Sequence, residues 1–223
     1  MKIERLGNVK TVMSNPIGKH NYFGWPTACR LQNGKIAVVA SGFRIDHVCP
    51  FGKTVIAYSD DEGETFSSPA PVIDTVLDDR DGGIATFGTS GVIVTSFNNT
   101  VAFQRNYAEK YTQNQYALAY LDTVTAEEEK AAHGATFRIS LDGGITFGEL
   151  KKSPVTSPHG PMTISDGRIV WVGRVFDRSE PPADLHEIEA YEMTEAGEMR
   201  KIGQIPPIEG LTSCEPHMTE ALD

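Results

Sequence analysis

Charged and imidazole side chains capable of chemistry gather in two short stretches of this 223-residue chain. Residues 78–83 read Asp-Asp-Arg-Asp-Gly-Gly, so Asp79, Arg80 and Asp81 stand directly before two glycines. Such a loop offers carboxylates and a guanidinium fork to a ligand, and the glycines allow close backbone approach. The plain alternative is a surface cluster of salt bridges, worth little energetically. Residues 41–48 read Ser-Gly-Phe-Arg-Ile-Asp-His-Val and place Arg44, Asp46 and His47 within four positions. They read either as ligand contacts or as a surface ion pair between Arg44 and Asp46. His47, His159 and His217 raise the question of a metal centre, but they lie far apart in sequence and have no ligand spacing. Isolated histidines that hydrogen-bond or touch a ligand are commoner, and neither a metal nor a cofactor is expected.

The elements that must position these residues repeat along the chain. Ser59-Asp-Asp-Glu-Gly-Glu-Thr-Phe66 and Ser140-Leu-Asp-Gly-Gly-Ile-Thr-Phe147 both read S-x-D-x-G-x-T-F. In each, the aspartate (Asp61, Asp142) stands where a carboxylate accepts hydrogen bonds from turn N–H groups. Gly63 and Gly144 supply a positive φ or a close backbone approach. The hydroxyls of Ser59, Thr65, Ser140 and Thr146 bond across the turn, and Phe66 and Phe147 anchor it on a core between sheets. The box is therefore a structural hairpin, and its spacing fails the pattern of a calcium loop. Apolar runs broken at Asn33-Gly34, Gly91 and Asp166-Gly167 add a hairpin to each unit. The units span about 25–73, 79–155 and 159–208, with a stub at 213–223. The second is enlarged by a helical stretch over 107–130, and the box of the third has decayed to residues 193–199. Tandem four-strand units describe an all-β fold, a single incomplete β-propeller over 1–223. Three blades and a stub do not close a ring. The expectation is a fragment, a missing C-terminal half, or self-association, with residues 10–14 as an outer strand of a last blade.

Composition agrees and excludes other classes. Thirty-nine per cent of residues are hydrophobic, enough for a sizeable core, and the net charge is −10. No basic stripe is present, so nucleic acid is not a partner. No apolar run is long enough to span a membrane, and the first residues lack the apolar core of a signal peptide. Cys29, Cys49 and Cys214 are odd in number with no CxxC pair, which reads as free thiols, a Cys29–Cys49 disulfide being the alternative. The compartment stays unassigned, with the cytoplasm slightly favoured.

The doubled box resembles the Asp-box, or BNR repeat, of the sialidase (neuraminidase) superfamily of six-bladed propellers, and the likeness covers almost the whole chain at the level of blades. The resemblance implies a glycoside hydrolase acting with retention on a terminal sugar, so the partner is a glycan or small sugar. It also implies an Asp acid/base, a Tyr nucleophile with a Glu partner, and three arginines on the substrate carboxylate. Asp46 matches the acid/base in placement, although Arg44 opposes a neutral carboxyl unless it faces the substrate. Glu215, in Ser213-Cys-Glu-Pro-His-Met-Thr-Glu220, matches the Glu that deprotonates the Tyr. Gly24-Trp25-Pro26 stands where the family has Arg-Ile-Pro, so the first arginine is absent and Arg44 becomes its candidate substitute. The other two arginines and the Tyr are expected beyond Asp223. Asp79, Arg80 and Asp81 take the place of a second family aspartate that touches the sugar's substituents. His159 and His217 stand where blades open onto the central channel and join the substrate contacts; Trp25, also at a blade entry, reads as a substrate contact or as core, whereas Trp171 reads as core. The competing readings are a non-catalytic carbohydrate-binding or interaction propeller and a polysaccharide lyase on the same fold.

Overall fold

The computed structural model describes residues 7, 9–176, 187–210, 213 and 215–221. Its framework is three antiparallel sheets. The first runs β1 (Tyr22–Arg30), β2 (Ile36–Arg44), β3 (Lys53–Ser59) and β4 (Ala70–Ile73), in that spatial order. The second is β5 (Arg80–Phe87), β6 (Gly91–Phe97), β7 (Ala135–Ser140) and β8 (Lys151–Lys152), again in sequence order. The third contains β9 (Val155–Thr156), β10 (Met162–Thr163), β11 (Ile169–Val175), β12 (Ile188–Met193) and β13 (Met199–Ile205). There β10 to β13 lie in order and β9 also pairs with β11. Between β6 and β7 lie α1 (Val101–Tyr107), a π-helical turn (Ala108–Thr112), α2 (Gln115–Leu121) and α3 (Ala126–Ala132).

Alternation along β6 shows how the sheets stack. Val92 and Val94 join Leu31, Val39, Ile56 and Ile73 in a core between sheets one and two. Ile93 points the other way and joins Phe137, Val155, Ile169 and Trp171 between sheets two and three. Sheet two is thus buried on both faces, which is why β6 reads as a nearly unbroken apolar run. Trp171 is fully buried, and its indole N–H donates to Ser157 Oγ at 2.9 Å.

The two boxes fold alike. Ser59 Oγ donates to Asp61 Oδ1 at 2.8 Å and accepts from Gly63 N, and Asp61 accepts from Thr65 N and Thr65 Oγ1. Ser140, Asp142, Gly144 and Thr146 repeat the same bonds. These donors hold Asp61 and Asp142 down at about 2. Phe147 packs on the first core and Phe66 is half-buried. The second box also docks on its neighbour, Tyr58 Oη donating to Gly144 O at 2.5 Å. In the third unit the turn survives through Thr194, whose carbonyl and hydroxyl accept from Gly197 and Glu198.

Two expectations are corrected. The helical insertion begins at Val101, where the Thr100 hydroxyl caps α1, rather than at Tyr107. Residues 10–14 form no strand, and Lys10 instead pairs with Glu64 on the first box turn. Cys29 and Cys49 are free thiols, as their number and spacing imply, with burial pushing Cys29 up to about 11, while Cys214 lies outside the described residues. No described helix is long and apolar enough to cross a membrane.

Candidate functional site

The leading strands of the first two sheets are bulged at one end, and the bulges aim the side chains of the site. Register slips between Gly24 and Thr27 in β1 and between Arg80 and Gly83 in β5. Each bulge holds a non-glycine residue at positive φ, Trp25 at 52° and Asp81 at 53°. Gly160 (73°) and Glu215 (50°) repeat the conformation before β10 and in the C-terminal segment, each followed by a proline. At the non-glycine residues Trp25, Asp81 and Glu215 such backbone costs on the order of 1–3 kcal/mol each and collects where a side chain must be re-aimed.

Arg44, expected as a ligand contact, is turned inward and is fully buried. Its Nη1 and Nη2 grip Asp78 at 2.6 and 2.8 Å. Nη2 also donates to His47 O at 2.6 Å, Nη1 to Asp79 O at 3.4 Å and Nε to Asp46 O at 3.3 Å. Four hydrogen bonds and the ion pair to Asp78 thus engage the guanidinium within the chain itself. The alternative, an ion pair with the Asp46 carboxylate, does not form, because Asp78 takes the guanidinium. Arg44 is therefore not open to a ligand and acts as the clamp between residues 46–49 and the start of β5. Asp78 also accepts from Cys49 N at 3.1 Å.

Asp79, expected to face a ligand, is fully buried as well. It accepts from Thr75 N, from Thr75 Oγ1 at 3.0 Å and from Asn98 Nδ2 at 3.1 Å. Desolvation outweighs these bonds and pushes its carboxyl up to about 7. Asn98 carries the network onward to Ala132 O and Gly134 N, tying β5 to the end of α3.

Arg80 lies between two aromatic faces, its Cζ 4.8 Å from the Trp25 ring centroid and 5.8 Å from that of Phe97. It faces Asp81 Oδ1 at 3.5 Å, Asp78 at 3.9 Å and His47 Nε2 at 3.4 Å. On one side is an open rim made of Asp46, His47, Trp25, Tyr22 and Tyr107. The Trp25 ring meets His47 edge-on at 5.1 Å and Tyr22 at 5.8 Å, and Tyr107 lies 6.1 Å from His47. Desolvation and then the two arginines lower the His47 pKa, so its imidazole is neutral at neutral pH. Asp46 is half-exposed, with Oδ1 accepting from His47 N at 3.1 Å.

On the other side, Asp81 and Glu215 line a cavity of about 190 Å³ with Asn99, Ser157, Arg174 and the Phe97–Phe176 pair. The Asp81 side chain is only 9% exposed. Desolvation raises its pKa, Glu215 adds to that, and Arg80 and Arg44 oppose it.

His159 and His217 meet edge-on at 5.2 Å, with Thr27 Oγ1 at 3.1 Å from His159 Nδ1. They line a separate groove of about 550 Å³ along the inner strands, with Pro26, Thr86 and Met218. His47 belongs to the rim instead, and among the described residues no group of three histidines, cysteines or carboxylates is placed to hold a metal. Sequence reasoning missed Tyr22, Phe97, Asn98 and Tyr107, and placed Asp78 in a ligand-facing loop where the structure buries it. Tyr107 had been read only as part of a helical stretch, and the one available signal was the aromatic density of residues 22–25.

No family model matches the chain, and no curated protein matches it. Solved structures do match in fold. A protein of unknown function from Dyadobacter fermentans superposes with a TM-score of 0.57 at 15% identity, over 89% of this chain and 58% of that one. A Hadza microbial sialidase gives 0.53 at 13% identity, over 82% and 38%. A sialidase from Streptococcus pneumoniae gives 0.57 at 11% identity, over 94% and 48%. The chain is thus similar in fold to sialidases and spans about half the length of these structures.

Proposed function

We propose that the end of the sheets where Trp25, Asp46, His47, Arg80, Asp81 and Glu215 gather is a carbohydrate site. On this reading the three sheets are blades of a sialidase-type propeller, and the two S-x-D-x-G-x-T-F turns are its Asp-boxes. The chain then contributes to a retaining glycoside hydrolase acting on a terminal sugar. The observation that carries the reading is the convergence of carboxyls and aromatic faces from several strand lead-ins onto one rim and its adjoining cavity. Aromatic faces stack on the apolar face of a sugar ring, and carboxyls accept from its hydroxyls.

In the catalytic version, Asp46 on the open rim gives its proton to the glycosidic oxygen as the aglycone leaves, and regains one from the water that hydrolyses the glycosyl-enzyme bond. Glu215, across Asp81, takes the proton of a nucleophile supplied from outside the described residues. Asp78 and Arg44 act through position, fixing the loop that carries Asp46. The second reading is a binding propeller without chemistry. It is favoured by the aromatic character of the rim, which holds a sugar without any proton transfer.

Turnover of 4-methylumbelliferyl glycosides by the whole chain separates the two. Hydrolysis that disappears in Asp46→Ala while binding persists supports the enzyme. Hydrolysis that survives the substitution removes Asp46 from the role. Saturable glycan binding without turnover moves the assignment to the binding propeller.

A further inference from the structure

We infer that the sugar taken by this site is uncharged, in contrast to the acidic sugar that the sialidase likeness suggests; the inference rests on the carbohydrate reading above. Selecting a carboxylate calls for an open guanidinium fork, because two parallel N–H donors match two carboxylate oxygens. Neither of the two arginines nearest the rim presents an exposed fork. Arg44 is fully buried, and its donors go to Asp78 and to the carbonyls of Asp46, His47 and Asp79. Arg80 has an 8% exposed side chain, stacks on Trp25 and Phe97, and has Asp78 and Asp81 on its polar edge. His47 brings no charge at neutral pH, since desolvation and then the same two arginines lower its pKa. The residue that stands where a first arginine would grip a carboxylate is Trp25, whose indole offers a face for a sugar ring and no charge.

Among the described residues at the rim and cavity, the carboxylates most open to a ligand are Asp46 and Glu215. Asp46 sits half-exposed on the rim, and Asp81 and Glu215 line the adjoining cavity, with Arg174 as the cation in its lining. A carboxylate sugar entering there would be placed beside like charges in a partly desolvated pocket. Those same carboxylates accept hydrogen bonds from the hydroxyls of a neutral ring. A charge brought within about 5 Å of an unpaired like charge near a protein surface is disfavoured by at least about tenfold.

The test uses the whole chain and matched ligands that differ only in the carboxylate. These are methyl β-glucoside against methyl β-glucuronide, methyl β-galactoside against methyl β-galacturonide, and 2-O-methyl N-acetylneuraminic acid as an acidic reference. Affinities come from titration calorimetry or ligand-observed NMR. The neutral member of at least one pair is expected to bind about tenfold or more tightly than its uronate, and the sialic acid derivative to bind weakest. Glu215→Gln, at an exposed position, is expected to narrow that gap by removing one repelling carboxylate. An acidic member binding as tightly as its neutral partner, or tighter, overturns the inference and leaves the carbohydrate reading standing. A gap that Glu215→Gln and Asp46→Asn both leave unchanged also counts against it, because the carboxylates would not be its cause. No binding by any sugar, neutral or acidic, removes the carbohydrate reading itself.

Discussion

Asp79 makes the stability of this chain fall as pH rises through neutrality. Its carboxyl is fully buried, and desolvation lifts it from an ordinary 3.8 to about 7. A raised acid binds its proton more tightly in the folded state than in the unfolded chain. Its contribution is therefore fully present below about pH 4 and is lost progressively as pH rises through 7. Each tenfold in proton affinity is about 1.4 kcal/mol, so the whole effect is roughly 4 kcal/mol, of which about 2–3 falls between pH 5 and pH 8. The perturbation is Asp79→Asn, which keeps the size and one carbonyl acceptor for Thr75 and Asn98 but cannot ionise. It costs about 1 kcal/mol at either pH for an imperfect hydrogen bond. Urea unfolding at pH 5 and pH 8 should show the parent chain losing stability with pH and the variant giving a much flatter profile. Equal pH slopes in parent and variant would refute the reasoning, and would mean that Thr75 and Asn98 keep Asp79 ionised throughout.

Four further outcomes are expected. Arg44→Met leaves Asp78 buried without its partner and should cost about 3–5 kcal/mol in urea unfolding; a cost under 1 kcal/mol would mean that Asp78 finds another donor. Gly83→Ala would place a Cβ 2.4 Å from the backbone of His159 and Gly160. It should destabilise the contact between sheets two and three by about 1–3 kcal/mol, read as a lower thermal midpoint. Asp142→Ala should lower the thermal midpoint near neutral pH and have little effect near pH 2. That carboxylate is held at about 2 by Thr146 and Ser140, so its contribution exists above the ordinary carboxyl range and vanishes as pH falls through 2. Trp25→Gly relaxes a positive φ but removes the face over Arg80. It should leave stability within about 1 kcal/mol while weakening glycan affinity at least about tenfold.

The parts of this fold legible in the sequence are those whose bonds close over a few residues. Every hydrogen bond that shapes the Ser59–Asp61–Gly63–Thr65 turn joins residues no more than four apart, so spelling alone marks the turn. Trp171 was readable as core because it sits mid-run in an apolar strand. The site was harder. In residues 78–81 four charges follow one another, and strand alternation ought to tell inward from outward. The bulge between Arg80 and Gly83 breaks that alternation, so nothing local reveals that Asp78 and Asp79 are buried while Asp81 lines a cavity. Arg44 was read beside Asp46 because the two are neighbours in sequence, whereas its carboxylate partner lies 34 positions on. Tyr107 meets His47 across sixty positions of chain and a helical insertion, a contact set by packing rather than by pattern. The start of α1 was within reach, since Thr100 is a good cap, but the charged run at 127–130 drew the helix later.

The most direct test of a sugar site at this rim uses the chain's own fluorescence. The chain has two tryptophans; Trp171 is fully buried in the core and Trp25 is half-buried at the rim. Titrating neutral glycans should give a saturable change in tryptophan emission that disappears in Trp25→Phe, in which Trp171 alone still emits. Calorimetrically detected glycan binding that leaves the Trp25 signal untouched, or no binding across the glycans titrated, would contradict the account.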